Sequence, residues 1–357
     1  MFNKKIKIKN KILSIKNKPM LVAELSANHN GSFKIAKKTI LSAKKNGADA
    51  IKFQTYTADT MTVKSTKKDF LISKGLWKNY NLFNLYERAA TPWKWQKKLF
   101  EYAEDLDILS FSSIFDETSL DFLEKLNVPA YKIPSFEACD LELIRETLQT
   151  NKPVIISTGL LNLKEIDELI NCCAKQKNNK IILLHCVSSY PAKIEDANLN
   201  TIKDLQKKYN ALIGLSDHTL TNTAAILSVG LNSVLVEKHF IIDRKIGGPD
   251  SSFSIEPFEL NKLATDINEA FKSFGSPNYN LKGDEKYNVK FRRSIYSVKD
   301  IKKGEYFTNN NIRKIRPGHG LFPKYYKKII GTRSLCDIKK YQKIEKKMVS
   351  KKIFTDV

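Results

Sequence analysis

The chain has 357 residues, of which 42% are hydrophobic and 28% charged, and its formal net charge is +23. This composition is typical of a soluble globular protein, and no apolar run approaches the roughly 18 residues of a membrane span, so we expect no membrane association. The N-terminus lacks the apolar segment of a secretory signal. Five irregularly spaced cysteines exclude a disulfide framework, so we expect a cytoplasmic protein.

The positive charge is concentrated at the two ends of the chain. Residues 1–20 carry +7 and residues 276–357 carry +15, which leaves +1 for residues 21–275. Nucleic-acid binding would call for basic residues interleaved with stacking aromatics, or for a known module, and neither occurs. We therefore expect no nucleic-acid partner. A basic small domain that helps to attract an anionic small substrate is the better interpretation.

The first twenty residues predict a basic hairpin, because apolar residues alternate in IKIK and again in ILSIK. Eight apolar runs of strand length follow, separated by segments with helical spacing such as 33–48, 92–106 and 162–176, and a last helical segment lies at 257–273. The runs are LVAELS (21–26), DAIKFQT (49–55), DILSFSS (107–113), AYKIPS (130–135), PVIIST (153–158), IILLHCV (181–187), IGLSDH (213–218) and SVLVEKHF (233–240).

Eight strand–helix repeats across about 250 residues predict an α/β fold, the (β/α)8 TIM barrel. The alternative, a doubly wound sheet, would need a glycine-rich loop after its first strand. SANHNGS, which follows the first run, contains one glycine. The barrel is therefore the fold that we expect.

Every predicted strand ends in polar residues. Barrel enzymes carry their chemistry at the carboxyl ends of the strands, so we expect one shared active site there. The polar strand ends are Glu24; Lys52 and Gln54; Ser112 and Ser113; Lys132, Ser135 and nearby Glu137; Ser157 and Thr158; His185; Ser216 and His218; and Glu237, Lys238 and His239.

Two histidines, His218 and His239, end strands seven and eight, which are neighbours in a barrel. Two converging imidazoles that leave positions for water and substrate suit a borderline divalent ion such as Mn²⁺. The alternative for either residue alone is a hydrogen-bonded core histidine, whereas the pair favours a metal site. We expect His185 to point into packing, and His29, in the first loop, is in position to line the site.

Lys52 and Lys132 lie in apolar runs, where an unpaired ammonium group would be costly. An anionic ligand would remove that cost, and the serines nearby would add hydroxyl donors for phosphate oxygens. Two alternatives stay open. One is an internal ion pair with Glu24, Glu137 or Glu237; the other is the Schiff-base lysine of an aldolase, which needs no metal.

Together these residues resemble the sialic acid synthase family, whose members condense phosphoenolpyruvate with an amino sugar. The matching stretches, in order over nearly the whole predicted barrel, are AELSANHNGS, GADAIKFQTYT, AYKIPSFEA, STG, HCVSSYP, GLSDHT, VEKHF and GGPD. Within the family the resemblance is closest to the pseudaminic acid synthases, through segments 72–95, 239–259 and 291–305. The sugar implied is 2,4-diacetamido-2,4,6-trideoxy-altrose as its open-chain aldehyde.

The resemblance also covers the tail, because the family carries a small antifreeze-like (SAF) domain. Residues 291–357 resemble one and contain KDIKKGEYFTNNNI and CDIKKYQKIEKKMV, a near-repeat that flanks IRPGHGL. We therefore predict a hairpin at 1–20, a synthase barrel at 21–274, a linker at 275–290 and a SAF domain at 291–357.

Site roles follow from the same resemblance. The implied metal ligands are His218 and His239, which would hold Mn²⁺, with Mg²⁺ or Co²⁺ as alternatives. The implied phosphoenolpyruvate site is Lys52, Ser113, Lys132, Ser135, Ser157, Ser188 and Ser216, and the implied sugar site is Glu24, Gln54, Tyr190 and Asp250. Arg316 of IRPGHG resembles an arginine that reaches into the neighbouring subunit's barrel, which implies a domain-swapped homodimer.

For the proton of the attacking water, Glu137 is the first candidate and Glu24 the second, while Lys132 helps to stabilise the departing phosphate. Three positions depart from the family pattern. Ser188 replaces an asparagine, Ile114 a proline and Tyr341 a glycine, and none of these changes removes a group that takes part in the chemistry.

Three other functions stay open. A Schiff-base aldolase of the neuraminate lyase type would use Lys132 and no metal. A non-catalytic carbohydrate- or ice-binding protein built around the tail would leave the strand ends without polar groups, contrary to the sequence. A sister synthase would use N-acetylmannosamine or the legionaminate precursor, and the choice of sugar would depend on the loop around residues 56–90.

Overall fold

The computed structural model describes residues 2–354 and divides into two compact units, which meet in the chain at Gly275 and Ser276. Each unit has its own hydrophobic core. In the first unit eight parallel strands close into a barrel, which confirms the predicted fold class. Among the described residues, the longest apolar helical stretch falls short of what a membrane crossing requires.

The first unit begins with an antiparallel hairpin of β1 (Ile6–Ile8) and β2 (Lys11–Leu13). The barrel strands pair in chain order, and the last pairs with the first. They are β3 (Met20–Glu24), β4 (Ala50–Thr55), β5 (Leu109–Ile114), β6 (Tyr131–Ile133), β7 (Val154–Ser157), β8 (Ile181–Cys186), β9 (Leu212–Asp217) and β10 (Leu235–His239). The helices are α1 (Phe33–Lys45), α2 (Ala58–Met61), α3 (Leu82–Ala89), α4 (Trp93–Asp105), α5 (Glu117–Lys125), α6 (Leu141–Gln149), α7 (Leu163–Ala174), α8 (Asn200–Tyr209), α9 (Thr223–Gly230) and α10 (Pro257–Phe274).

Local sequence sets the ends of these helices. The Ser32 hydroxyl accepts a hydrogen bond from the Ile35 N–H and begins α1, while Asn162 and Glu165 form a capping box at the start of α7. After α1 the chain turns through Gly47, whose φ is +89°. A Cβ atom there would lie 2.8 Å from the Cβ of Ala264, so both the turn and the close packing require glycine.

Alternate residues of each strand face the barrel interior, and their character changes along the strand. Towards the amino ends the inward residues form one apolar cluster: Met20, Val22, Ala50, Leu109, Phe111, Ala130, Ile155, Ile182, Leu184, Leu212 and Leu235. Two residues further along, the inward positions are polar and line a cavity: Glu24, Lys52, Gln54, Ser113, Lys132, Ser157, Cys186, Ser216, Glu237 and His239. The inward-facing residues therefore form an apolar core at the amino end of the barrel and a polar cavity lining at the carboxyl end.

The N-terminal hairpin packs on the apolar end. Its Ile6, Ile8 and Leu13 are each 1% exposed and belong to the same cluster as the inward residues of the strands. The lysines between the isoleucines point outwards. Lys11 and Lys18 pair with Asp49 at 2.8 and 3.1 Å. The basic hairpin is thus amphipathic, with its apolar face on the barrel.

An insert, residues 56–92, lies between β4 and α4 and exceeds what one strand–helix repeat needs. It contains α2, a short 3-10 turn at Lys68–Phe70, a small hairpin closed by a bridge between Leu71 and Asn81, and α3. Since it follows the carboxyl end of β4, it lies on the same face of the barrel as the polar strand ends.

The second unit contains α11 (Glu285–Asn288), within the stretch predicted as a linker, then the antiparallel β11 (Ser294–Ser297) and β12 (Ile312–Ile315), and α12 (Tyr326–Ile329). Its near-repeats face each other. The Asp300 carboxylate accepts from the Lys340 N–H at 2.7 Å, and the Asp337 carboxylate accepts from the Lys303 N–H at 2.8 Å. Tyr341, which replaces a glycine, has φ +67°, close to the +85° of Gly304 in the first copy.

Candidate active site

Most of the polar strand ends meet in a cavity of about 450 Å³ at the carboxyl end of the barrel, whereas Ser112, Thr158, His185 and Lys238 lie outside its lining. Its floor carries four buried charges. The Lys52 ammonium lies 2.9 Å from Glu24 Oε1 and 3.2 Å from Glu237 Oε1, and the Lys132 ammonium lies 3.4 Å from Glu237 Oε1. The internal lysine–glutamate pairing that the sequence left open is therefore present.

Hydroxyl and amide groups complete this floor. Lys52 donates to Ser113 Oγ at 3.1 Å, Gln54 donates to Glu24 Oε1 at 2.8 Å, and the Ser216 hydroxyl donates to Glu237 Oε1 at 3.0 Å. Lys132 differs from Lys52, since within residues 2–354 its ammonium group has Glu237 as its ion-pair partner and no hydrogen bond of normal length. Lys132 is thus the cation with donors to spare.

The charges shift one another's pKa values. Burial raises the pKa of Glu24, but the charge of Lys52, with a smaller part from Lys132, outweighs it and holds that pKa well below its usual range. Burial lowers the pKa of Lys132, and Lys52 adds to the effect against the opposing charge of Glu237. Glu24 is therefore ionised at neutral pH. Of the two lysines, Lys132 loses its proton more readily than Lys52 does.

His218 and His239 lie side by side, with their ring centroids 5.5 Å apart. His218 Nδ1 donates to the Val187 carbonyl oxygen at 2.8 Å, so in the neutral ring the lone pair is on Nε2. Burial lowers the pKa of His218, but Cys186 and the Val187 carbonyl outweigh it and raise that pKa. His239 Nε2 lies 3.3 Å from Glu24 Oε2, and its Nδ1, 3.9 Å from Asp250 Oδ2, is buried without a hydrogen-bond partner. Burial lowers the pKa of His239, which favours the neutral imidazole that binds metal.

These histidines fit the expected divalent ion. Both histidines line the cavity, and His239, whose Nδ1 is unpartnered, lies beside the carboxylates of Glu24 and Asp250. Within residues 2–354 no group of three or more His, Cys, Asp or Glu residues is arranged to hold a metal. An ion here would therefore take two protein ligands and fill its remaining positions with water and substrate oxygen.

Hydrogen bonds join the first loop to the loop that carries Asp250. The Ser26 hydroxyl and the Ala27 N–H donate to Asp250 Oδ2. The Asn28 amide donates to the Phe240 carbonyl at 3.0 Å and to Ser254 Oγ at 2.8 Å. These hydrogen bonds join residues 26–28 to the loop around Asp250 and hold Asp250 beside His239.

Glu137 lies above the floor, after β6. One of its carboxylate oxygens is buried without a hydrogen-bond partner, and burial raises the pKa of this residue to about 7. Ser157 Oγ and Glu237 Oε2 are likewise buried and unpartnered. With His239 Nδ1, four unpartnered buried polar atoms belong to residues that line one cavity, and buried polar groups of this kind call for a partner.

The structure brings together thirteen of the fifteen residues that the sequence analysis assigned to the site: Glu24, Lys52, Gln54, Ser113, Lys132, Ser135, Glu137, Ser157, Tyr190, Ser216, His218, His239 and Asp250. Ser188 lies just outside the lining, with its hydroxyl 3.7 Å from Cys186 Sγ. Arg316 lies in the second unit, after β12, and its side chain is exposed.

Two expectations about histidines have different outcomes. His185 points away from the cavity, with Nε2 2.7 Å from the Ala197 carbonyl oxygen, as expected. The expectation that His29 lines the site is wrong: it is fully buried, and its Nε2 lies 3.2 Å from the Ala89 carbonyl oxygen. That hydrogen bond ties the first loop to the end of α3.

Glu237, which the sequence analysis offered as an ion-pair partner of the lysines, lines the cavity, whereas Cys186 and the individual side chains of the insert were missed. Glu237 precedes His239 by two positions, so the strand period alone places both on the inner face. Cys186 ends β8 on the inner face by the same rule. The insert supplies Met61, Ile72, Trp77, Leu82, Leu85, Tyr86 and Ala89, and its short elements carry no comparable signal.

Comparison with known proteins agrees with this geometry. The model of the NeuB family matches residues 39–279, and that of the SAF domain matches residues 292–350. The chain is 43% identical to a pseudaminic acid synthase of Campylobacter jejuni, over 90% of this chain and 94% of that protein. It is 34% identical to an N,N'-diacetyllegionaminic acid synthase of the same species, over 88% and 95%.

Among solved structures, the N-acetylneuraminic acid (sialic acid) synthetase of Leptospira borgpetersenii, in complex with citrate, superimposes with a TM-score of 0.72. The two chains are 31% identical, and the match covers 81% of this chain and 96% of the other. The resemblance to the sialic acid synthases is therefore confirmed. The chain belongs to the NeuB family and carries a SAF domain after its barrel.

Proposed function

We propose that this chain is a pseudaminic acid synthase that condenses phosphoenolpyruvate with 2,4-diacetamido-2,4,6-trideoxy-altrose and releases phosphate. The observation that supports it most is the cavity lined by two buried lysines, two histidines and several residues with unpartnered buried polar atoms. The greater similarity to a pseudaminic than to a legionaminic acid synthase supports this choice of sugar over its alternatives, the legionaminate precursor and N-acetylmannosamine.

Phosphoenolpyruvate would lie over Lys132 and the cavity serines. Its phosphate and carboxylate would take up the free donors of Lys132 and the unpartnered hydroxyl of Ser157, with Ser113, Ser135 and Ser216 as further hydroxyl partners. Lys52 is already shared between Glu24 and Glu237, so it would hold the two carboxylates in place and add positive charge below the ligand.

The sugar aldehyde would face the two histidines, beside Glu24, Gln54, Tyr190 and Asp250. His218 and His239 would hold a divalent ion, Mn²⁺ in our proposal with Mg²⁺ or Co²⁺ as alternatives, which when bound supplies Lewis-acid polarisation of the aldehyde oxygen. Glu24 and Asp250, next to His239, would orient the sugar hydroxyl and amide groups.

In the reaction, the double-bond electron pair of phosphoenolpyruvate joins its methylene carbon to the aldehyde carbon, which leaves C2 electron-deficient, and the aldehyde oxygen takes a proton from solvent. Water adds to C2, and its proton passes to Glu137, whose pKa of about 7 suits a base at neutral pH. The C–O bond to phosphate then breaks, the electron pair leaves with the phosphate, and the loss of the hydroxyl proton gives the ketone. Lys132 stabilises the negative charge on the departing phosphate.

We also propose a domain-swapped homodimer in which the exposed Arg316 of each subunit completes the sugar site of its partner. Mixing tests this proposal. Arg316→Ala and His218→Ala subunits, each inactive alone, should regain activity together, because a mixed dimer holds one barrel with its histidines and one intact arginine to complete it. Failure to regain activity after subunits have exchanged would contradict the swap.

The assay that tests the function measures phosphate release from phosphoenolpyruvate with Mn²⁺ and each sugar in turn. We expect the highest kcat/KM with the altrose derivative, above the legionaminate precursor and N-acetylmannosamine. A higher value with another sugar would assign the chain to that sister activity. Trapping of Lys132 by borohydride with pyruvate, together with activity in a chelator, would instead indicate the aldolase.

A further inference from the structure

We propose that the insert selects the sugar, because its apolar side chains form the wall of the cavity that contacts the methyl groups of the co-substrate, above all the deoxy carbon C6. This inference rests on the proposed function. It goes beyond that function by assigning the part of the sugar that is recognised and the residues that recognise it.

The cavity has two chemically different halves. The floor, built by the strand ends, carries the charges of Glu24, Lys52, Lys132 and Glu237. The wall, built by the insert, is mainly apolar and consists of Met61, Ile72, Trp77, Leu82, Leu85, Tyr86 and Ala89. A doubly anionic ligand such as phosphoenolpyruvate matches the floor and has little apolar surface for the wall. The wall therefore suits the other substrate, and specifically a part of it that has no hydroxyl groups.

One face of α3 supplies most of this wall. Leu82, Leu85, Tyr86 and Ala89 occupy positions i, i+3, i+4 and i+7 and all line the cavity. Such a stripe normally packs against a protein core. Here Leu85 and Ala89 are as buried as Phe83 on the other side of the helix, whereas Leu82 and Tyr86 are only half-buried and have side-chain surface left open to the cavity. The apolar stripe thus borders a space that an apolar group of a ligand can fill.

The hairpin of the insert is held in place relative to the histidines. Within it, the Ile72 N–H donates to the Tyr80 carbonyl at 3.0 Å, and the Asn79 N–H donates to the Ile72 carbonyl at 2.8 Å. The Trp77 indole N–H donates to the Pro249 carbonyl at 2.9 Å, next to Asp250. The Trp77 ring lies 5.6 Å from that of Tyr190, which lies 4.4 Å from that of His218.

The positions of the histidines and of the apolar wall determine which way round an open-chain sugar lies in the cavity. Its aldehyde carbon, which reacts, belongs at the histidines, so the opposite end of the carbon chain extends towards the wall. In a 6-deoxy sugar that end is a methyl group, which the wall binds without leaving a polar group unpaired. In a 6-hydroxy sugar the same position carries a hydroxyl that the apolar side chains offer no hydrogen bond. An apolar pocket distinguishes such a pair by roughly 10- to 100-fold.

The test compares kcat/KM for 2,4-diacetamido-2,4,6-trideoxy-altrose with that for its 6-hydroxy analogue, using phosphate release as the readout. We expect the wild type to prefer the deoxy sugar by roughly 10- to 100-fold. Leu82→Asn and, separately, Ile72→Thr should reduce this preference to about threefold or less, while the KM for phosphoenolpyruvate stays unchanged. Leu76→Asn is the matched control: Leu76 is 44% exposed in the same hairpin and outside the cavity lining, so this variant should keep the full preference.

An absent preference in the wild type, or a full preference in both wall variants, would overturn the inference while leaving the proposed function intact. An unchanged KM for phosphoenolpyruvate shows that a variant has folded; if Leu82→Asn does not fold, Ile72→Thr decides. If the proposed function itself is wrong, the result is different: no phosphate is released from phosphoenolpyruvate with either sugar.

Discussion

The two ends of the barrel interior are built from the same strands, but the amino end is an apolar core and the carboxyl end is a polar cavity. At the amino end, Val22, Phe111 and Leu235 pack with the hairpin residues into a continuous apolar cluster. Two positions further along the same strands, Glu24, Ser113 and Glu237 face a cavity. Apolar burial stabilises the first end, whereas burial of charge at the second is unfavourable unless partners or ligands compensate for it. The residues that stabilise the barrel and the residues that line its cavity are thus two positions apart on the same strands.

The strongest test of this separation replaces the two histidines. His218→Ala or His239→Ala should abolish phosphate release and Mn²⁺ binding, because each removes one of the two imidazoles that would hold the ion. The melting temperature without metal should change less for His239→Ala, whose Nδ1 is unpartnered, than for His218→Ala, which also loses the hydrogen bond to the Val187 carbonyl. Titration calorimetry and thermal unfolding measure the two effects separately. Normal turnover by a variant in the presence of a chelator would refute the metal role.

The second test removes Lys132. Lys132→Met should raise the KM for phosphoenolpyruvate by about 100-fold, in the range seen when one partner of a buried charge pair is truncated. The KM for the sugar should change far less, since the metal end of the cavity is untouched. The comparison is Lys238→Met on the outer face of β10, where the Lys238 ammonium lies 2.7 Å from Asp217 Oδ2. That variant should lose stability and keep its KM. The reverse pattern would contradict the assignment of Lys132 to the anionic substrate.

The third test works at the amino end. Ile8→Ala should lower the free energy of unfolding by about 2–5 kcal/mol, because it leaves a cavity in a closely packed cluster. Turnover per folded molecule should stay the same. Ile12→Ala, in the same hairpin but 39% exposed, should change the unfolding free energy by about 0.5 kcal/mol or less. Urea denaturation followed by circular dichroism distinguishes the two variants, and equal losses would show that the hairpin contributes little through packing.

Most of the residues on the cavity floor were predictable from the sequence, because the alternation of inward and outward side chains along a strand is a local property. Once LVAELS and VEKHF are identified as strands, Glu24 and His239 fall at inward, carboxyl-end positions, and the barrel rule brings them together. The register then makes them direct neighbours, since β10 pairs with β3 through His239 and Glu24. The same logic includes Glu237, which the sequence analysis offered as an ion-pair partner for the two buried lysines and which pairs with both.

The insert could not be predicted in the same way. Its helix α3 has the apolar spacing of any helix packed on a core, and nothing in that spacing shows that Leu82 and Tyr86 border a cavity instead. His29 illustrates the opposite error. It follows the first strand closely, but its ring turns to the Ala89 carbonyl, at the end of α3, which lies sixty residues away in the chain. Contacts between loops depend on tertiary packing, and no periodic pattern in the sequence indicates them.

The fourth test concerns what ionisable groups at the carboxyl end do to stability. Burial raises the pKa of Glu137 to about 7 in the folded chain, from an ordinary value of 4.5. The folded state thus favours the protonated carboxyl group, and this contribution is fully present below pH 4.5 and lost as the pH rises through 7. Glu137→Gln, which stays neutral, should therefore unfold with the same free energy as the wild type at pH 4 and with about 2–3 kcal/mol more at pH 8.

Denaturant unfolding at a series of pH values measures this difference directly. Glu101→Gln, an exposed position on α4, is the matched control and should follow the wild type throughout. A Glu137→Gln effect that does not vary with pH would mean that the substitution acts through packing, and that the carboxylate is not buried at an energetic cost. The predicted pH dependence would show that the carboxyl end of the barrel keeps an ionisable group at the expense of stability.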